Sequence, residues 1–221
     1  LLRRLIDVVA LPSSRLPPQD RSMASDILLE LLFHADEDDL ILCARRLADK
    51  SEAPRRLLRF LACSPINVAS YVLDANDGLD DSDLCQIVSA GSVDHRAHVA
   101  QRNPVGPLVA EKLVGFAEFR VLKHLLQNRY SILSDASVDA LVTVSRDQSD
   151  LCPLLMDRRE LTPAHAMAMF WWADRDTRQA ILQRQAADRL ELISTCADVF
   201  PIADGEGWAD PVSRKGLQLI E

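Results

Sequence analysis

The feature that most constrains this chain is a repeat of 28 residues. Helix-start signals at Pro107, Asp135 and Pro163 are spaced 28 apart, twice. The positions that follow correspond: Ala110, Val138 and Ala166; Leu113, Leu141 and Met169; Val114, Val142 and Phe170. An apolar residue stands just before each cap, namely Val105, Leu133 and Leu161. A further apolar helix precedes each start, over 95–100, 121–126 and 151–156. One period of helix, turn and helix is too small to bury its own apolar face, so neighbours must stack. The expected fold is all-α, an α-solenoid of stacked antiparallel helix pairs.

Upstream the pattern loosens. Met23, Ile27, Leu28, Leu31 and Leu32 read as one helical stripe, Leu40, Cys43, Ala44 and Leu47 as the next, and Leu57, Leu58, Leu61 and Ala62 as another. Segments 18–34 and 37–49 are expected to pair, as are 57–62 and 66–73, with 79–90 as an extra helix. Downstream, Ile181, Leu182, Ala186, Leu190, Ile193 and Ala197 form one long stripe, read as a terminal capping helix. The expected organisation is a helical-repeat domain over 1–197 and a linker or tail over 198–221, truncated near its end. The expected core includes Leu28, Leu31, Leu61, Leu113, Leu141, Met169 and Ile181.

Punctuation supports the helices. Ser64-Pro65 and Thr162-Pro163 each place a hydroxyl cap before a proline at the first helical position, and Gly106-Pro107 is the glycine version. Ser134-Asp135 sets a cap before an acid, which suits the positive helix start. The chain has only 7 glycines, three of them (Gly205, Gly207, Gly216) near its end, too few for the turns of a sheet-rich fold.

The net charge of −8 argues against a duplex-binding surface, which relies on many Lys and Arg contacts to phosphate. It also argues against an anionic membrane surface. No apolar run reaches the length of a membrane span, so no insertion is expected. Cys43, Cys63, Cys85, Cys152 and Cys196 form no C-x-x-C pair and read as reduced thiols of a cytoplasmic protein.

Four stretches carry a resemblance to a known family: Ser25-Asp26-Ile27-Leu28-Leu29-Glu30-Leu31-Leu32, Ala48-Asp49-Lys50-Ser51-Glu52-Ala53-Pro54, Leu79-Asp80-Asp81-Ser82-Asp83-Leu84, and 109–114. The chain resembles, over about residues 1–197, a family of bacterial helical-repeat proteins catalogued as a conserved domain of unknown function. The resemblance implies a HEAT- or armadillo-like superhelix and brings no catalytic residues with it.

Side chains able to do chemistry are present but scattered. His95 and His98 sit three apart beside Asp94, and two imidazoles at that spacing could share a metal. A site needs more ligands, and no Glu-x-x-His partner exists, so ordinary packing is the preferred reading and no metal is expected. His34, His124 and His165 stand singly. The run Asp36-Glu37-Asp38-Asp39 reads as a cap and an acidic first turn, without calcium-loop spacing. No phosphate cradle, nucleophile elbow or cofactor motif is found, so catalytic residues and cofactors are expected to be absent.

Two features point outward. In Phe170-Trp171-Trp172, adjacent rings cannot all face the core, and an exposed Trp171 or Trp172 would serve as a partner anchor. Arginines recur near the turns: Arg45, Arg46, Arg102, Arg129, Arg158 and Arg159. They either cap helix C-termini or form a basic ridge, with Arg102, Arg129 and Arg158 holding an acidic segment of a protein or peptide. The expected function is a non-catalytic interaction scaffold. The alternative is an enzyme or nucleic-acid-processing module on the same architecture.

Overall fold

The computed structural model describes residues 2–12, 15, 17–75 and 77–184. The chain divides into two compact units, Leu1–Arg178 and Gln179–Glu221. The long stripe expected over 181–197 and the boundary expected at 197 fall mostly outside the described residues; of that stripe, Ile181 is buried and Leu182 is exposed.

The described residues form twelve α-helices, α1 (Leu2–Val9), α2 (Pro18–Leu32), α3 (Glu37–Leu47), α4 (Arg55–Ala62), α5 (Ile66–Ala75), α6 (Asp81–Ala90), α7 (Val93–Ala100), α8 (Pro107–Gly115), α9 (Phe119–Gln127), α10 (Asp135–Val144), α11 (Cys152–Met156) and α12 (Pro163–Met169), and a further helical stretch over 175–184. A 3₁₀ turn, Ser149–Leu151, leads into α11. The fold is all-α.

Packing follows the parity of the helices. α1, α3, α5, α7, α9 and α11 touch in series, as do α2, α4, α6, α8, α10 and α12. The two series meet through chain neighbours, among them α1 with α2, α4 with α5 and α6 with α7. The expected starts at Pro107, Asp135 and Pro163 are the first residues of α8, α10 and α12. The segment read as an extra helix is α6, an ordinary member of the even series between α4 and α8. It escaped the repeat because the step shortens. α4, α6 and α8 begin at 55, 81 and 107, which is 26 residues apart rather than 28. Only Gly91 and Ser92 join α6 to α7, and a Cβ on Gly91 would lie 2.7 Å from both His95 Cβ and the Ile87 carbonyl oxygen.

Local chemistry places most helix starts. The Ser134 hydroxyl accepts the Ser137 N–H, and the Asp36 carboxylate accepts that of Asp39. Thr162 and His165 form a capping box on α12, as Ser92 and His95 do on α7. Ser64 behaves differently from expectation. Its hydroxyl donates back to the Phe60 carbonyl at 2.9 Å, and its own carbonyl accepts from His95 Nε2 at 2.9 Å. α5 starts instead on the Pro65 carbonyl, which accepts the Val68 and Ala69 N–H groups.

Within the first unit Leu28, Leu61, Leu113, Leu141 and Met169 are buried, as expected, and Ile181 is buried in the second. Leu31 is only half-buried. The inward row of α2 is Ala24, Leu28 and Leu32, four residues apart, which turns Met23 and Ile27 to the surface. The five-residue stripe was wider than one buried face.

Charged groups also hold the interior. Asp83 on α6 is 3% exposed and takes Arg55 of α4 at 2.7 Å and Arg59 of α4 at 3.1 Å. Arg96 on α7 is 7% exposed. Its guanidinium donates to both Glu118 oxygens and to the carbonyls of Val88 and Gly91, and it lies 4.2 Å from the Phe116 ring centre. Arg96 thereby ties α7 to the end of α6 and to the turn after α8. Each nitrogen of the fork has a fixed acceptor, the condition under which a buried charge is tolerated.

Candidate interaction surface

The turns that follow α5, α7, α9 and α11 lie along one edge and are tied to one another. Arg102 donates to the Leu73 carbonyl. Asn128 donates through its amide to the carbonyls of Ala100, at 2.9 Å, and Arg102, at 2.7 Å. Arg158 donates to the carbonyls of Asn128, at 2.9 Å, and Ser131, at 2.7 Å. Each polar side chain reaches back about one repeat and satisfies carbonyls that the end of a helix leaves open. Val105 and Ser131 add a short parallel bridge between successive turns.

The three arginines, read either as helix caps or as one ridge, therefore separate. Arg158 is 8% exposed, and its fork is engaged by two carbonyls and by Glu160 at 2.8 Å. Arg102 is half-buried, and burial pushes its guanidinium below the ordinary value. Both act as inter-repeat caps. Arg129 alone of the three is exposed. The residue that completes the set of caps is Asn128, which the sequence reading passed over. Its position directly after an apolar helix was the available signal.

What the edge presents to solvent is a pair of neighbouring clefts that share Arg129. One, of about 610 Å³, is lined by Leu126, Leu154 and Gln127, with Arg129 and Arg159 as its exposed cations and Asp157 as its exposed acid. The other, of about 490 Å³, is lined by Gln101, Asn103, His124 and Tyr130 as well as Arg129. Tyr130 and Ile132 are exposed at 63% and 54%. Burial, then Arg120, Lys123 and His98, push the His124 imidazole below its ordinary value.

The two tryptophans have different roles. Trp172 is half-buried and donates to Ser145 Oγ at 3.0 Å, pinning the end of α12 to the end of α10. Trp171 is 80% exposed and meets Phe170 edge-on at 5.9 Å.

The histidine pair does not converge. His95 is bound to Ser92 and the Ser64 carbonyl, while His98 faces Asp74 at 2.6 Å. Among the described residues, no group of three or more His, Cys, Asp or Glu side chains is placed to hold a metal ion. Cys43, Cys63, Cys85 and Cys152 are free thiols, and burial pushes that of Cys43 up to about 12. Among the described residues, no helix is long and apolar enough to cross a membrane.

No curated protein and no solved structure matches the chain. A family model matches residues 68–218, more than half of its length. The stretches 25–32 and 48–54, which contributed to the resemblance, precede that match, and the match continues beyond the boundary expected at 197. The chain belongs to the family described as an uncharacterised protein conserved in bacteria, DUF2336.

Proposed function

We propose that the chain is a HEAT- or armadillo-like α-solenoid that acts as a non-catalytic interaction scaffold in the cytoplasm. The serial contacts within the odd and even helices support the architecture, and the two tied series correspond to the layers of stacked antiparallel pairs. The free thiols agree with a reducing compartment.

The observation that carries the functional reading is the edge around Arg129 and Arg159. There the backbone is fixed by Arg102, Asn128 and Arg158, and two guanidiniums stand exposed beside Leu126 and Leu154. A rigid edge with free cations over an apolar floor suits an extended segment that alternates acidic and apolar residues. Tyr130 and Ile132 extend the apolar contact. The partner is accordingly a protein or peptide with an acidic segment. The enzyme or nucleic-acid alternative would need convergent titratable groups in an enclosed pocket or a continuous basic face, and Asp157 and Glu160 interrupt the basic character of this edge.

The test is a quantitative pull-down with the wild-type chain and an Arg129→Glu/Arg159→Glu variant, read by mass spectrometry. The reading expects proteins with acidic segments to be captured by the wild type and lost by the variant, with the thermal melt unchanged. Capture that is identical for both proteins would refute it.

A further inference from the structure

The outer faces of α8, α10 and α12 hold a relationship that the interior does not explain. α10 and α12 lie side by side in parallel register. His165, in the first turn of α12, meets Asp139, midway along α10, at 2.7 Å, and Trp172 meets Ser145 at 3.0 Å just past their ends. α8 and α10 do the same. The Ile132 N–H donates to the Val105 carbonyl at 3.0 Å before their starts, and Gln148 donates to the Ala117 carbonyl at 3.1 Å after their ends. Eight residues on from Pro107, Asp135 and Pro163 stand Gly115, Thr143 and Trp171, all exposed. One register position thus carries no side chain on α8, a small one on α10 and the largest one just past α12.

The chain's own packing does not require Gly115. It ends α8, and a Cβ there would meet nothing within 4 Å, whereas one on Gly91 or Gly106 would collide with its surroundings. The missing side chain therefore leaves a surface vacancy that the chain's own packing does not fill. The vacancy lines a cleft of about 600 Å³ together with Cys85, Leu108 and Phe116, with Glu111 and Lys112 at its side. Leu108 is 66% exposed and Phe116 39%. The complementary shape is on the same chain, where Trp171 is 80% exposed and Met167, four residues before it, 43%.

We propose that this face is an isologous interface between two copies of the chain, with Trp171 of each copy seated in the Gly115 cleft of the other. A two-fold axis along α10 reverses the order of the helices and keeps their direction. It therefore sets α8 of one copy against α12 of the second at equal register. Gly115 then faces Trp171, and Thr143 faces its own counterpart on the axis. The exposed face of α10 offers only Ala136, Ala140 and Thr143 besides Asp135 and Asp139, and Asp139 is already held by His165. A second copy is the fitting occupant because hole and knob flank α10 at equal steps of 28 residues, as a two-fold contact requires. Tryptophan is among the residues enriched as interface anchors. Three helices about 10–15 Å long and about 9 Å apart make a patch below standard interface size, so the dimer is weak.

The experiment is sedimentation equilibrium on the full chain, from about 1 µM to about 1 mM, the range that a weak dimer spans. The expected result is a concentration-dependent dimer. Trp171→Ala and Gly115→Glu each weaken it by about tenfold or more, with an unchanged melt because both positions are exposed. A Cys63→Ser/Thr143→Cys variant should form a covalent dimer under mild oxidation, while Cys63→Ser alone does not. A monomer throughout the range overturns the proposal. So does a dimer that ignores both substitutions, or a Thr143→Cys chain that fails to cross-link. The inference is independent of the Arg129 and Arg159 edge, whose variants should leave self-association unchanged.

Discussion

Arg96 and Glu118 share two hydrogen bonds, of 2.7 and 2.6 Å, with 9% and 24% of their side chains exposed. Glu118 is the N-cap residue of α9, so this ion pair fixes where α9 begins relative to α7. Replacing Glu118 by alanine leaves the enclosed guanidinium with neutral acceptors only. The expected loss is about 2–4 kcal/mol, less than for a fully buried pair because Glu118 keeps some contact with water. A denaturant melt measures it, and a loss below about 0.5 kcal/mol would show that the pair behaves as a surface contact.

The turn arginines separate in the same assay. Arg158→Gln withdraws a charged donor from two carbonyls and from Glu160, and the expected cost is about 1.5–3 kcal/mol. Arg129→Gln, at an exposed site, should stay within about 0.5 kcal/mol of wild type. Equal effects for the two variants would contradict the division into cap and exposed cation.

How much of this was legible follows from the range of each interaction. Pro107, Asp135 and Pro163 were found as helix starts because a proline, a hydroxyl cap and an acidic first turn act within a few residues. The alternation of apolar rows likewise placed Leu113, Leu141 and Met169 in the core. The partners of Arg96, Asn128 and Arg158 were not assigned because the decisive acceptors lie on other helices and turns, 22 residues away for Arg96 and about one repeat away for the other two, and a lone arginine or asparagine near a turn looks the same whether it caps or projects. Met23 and Ile27 were misplaced because α2 carries more apolar residues than one face buries. The even series was missed at α6 because the step there is shorter by two residues.

Acid should loosen the contact between α4 and α6. The Asp80 carboxyl is held below its ordinary value first by the Asp83 N–H that it accepts, and then by Arg55. A group whose folded value is depressed stabilises the fold above its unfolded value and loses that contribution as pH falls through the folded value. Stability should therefore decline as pH drops below the ordinary aspartate range. Asp80→Asn should be less stable than wild type at neutral pH and show a shallower decline. Parallel stability–pH curves for the two proteins would contradict this assignment.

Ala117, in the turn between α8 and α9, has a φ of 51°. A side chain is disfavoured there, and glycine is not. Ala117→Gly is expected to raise stability by about 0.5–1 kcal/mol, the relief of strain exceeding the extra freedom of the unfolded chain. A lower melting temperature for the glycine variant would show that the Ala117 methyl has a packing role.

The proposed site for an acidic segment is the edge around Arg129 and Arg159. The most direct measurement is the dissociation constant of a synthetic segment taken from a captured partner, read by fluorescence anisotropy across a salt series. For the wild type, affinity should fall steadily with salt, because exposed ion pairs are screened. Arg129→Glu/Arg159→Glu should bind about tenfold or more weakly at low salt, since the charge reversal replaces attraction with repulsion. An affinity that ignores both salt and the double substitution would contradict the account.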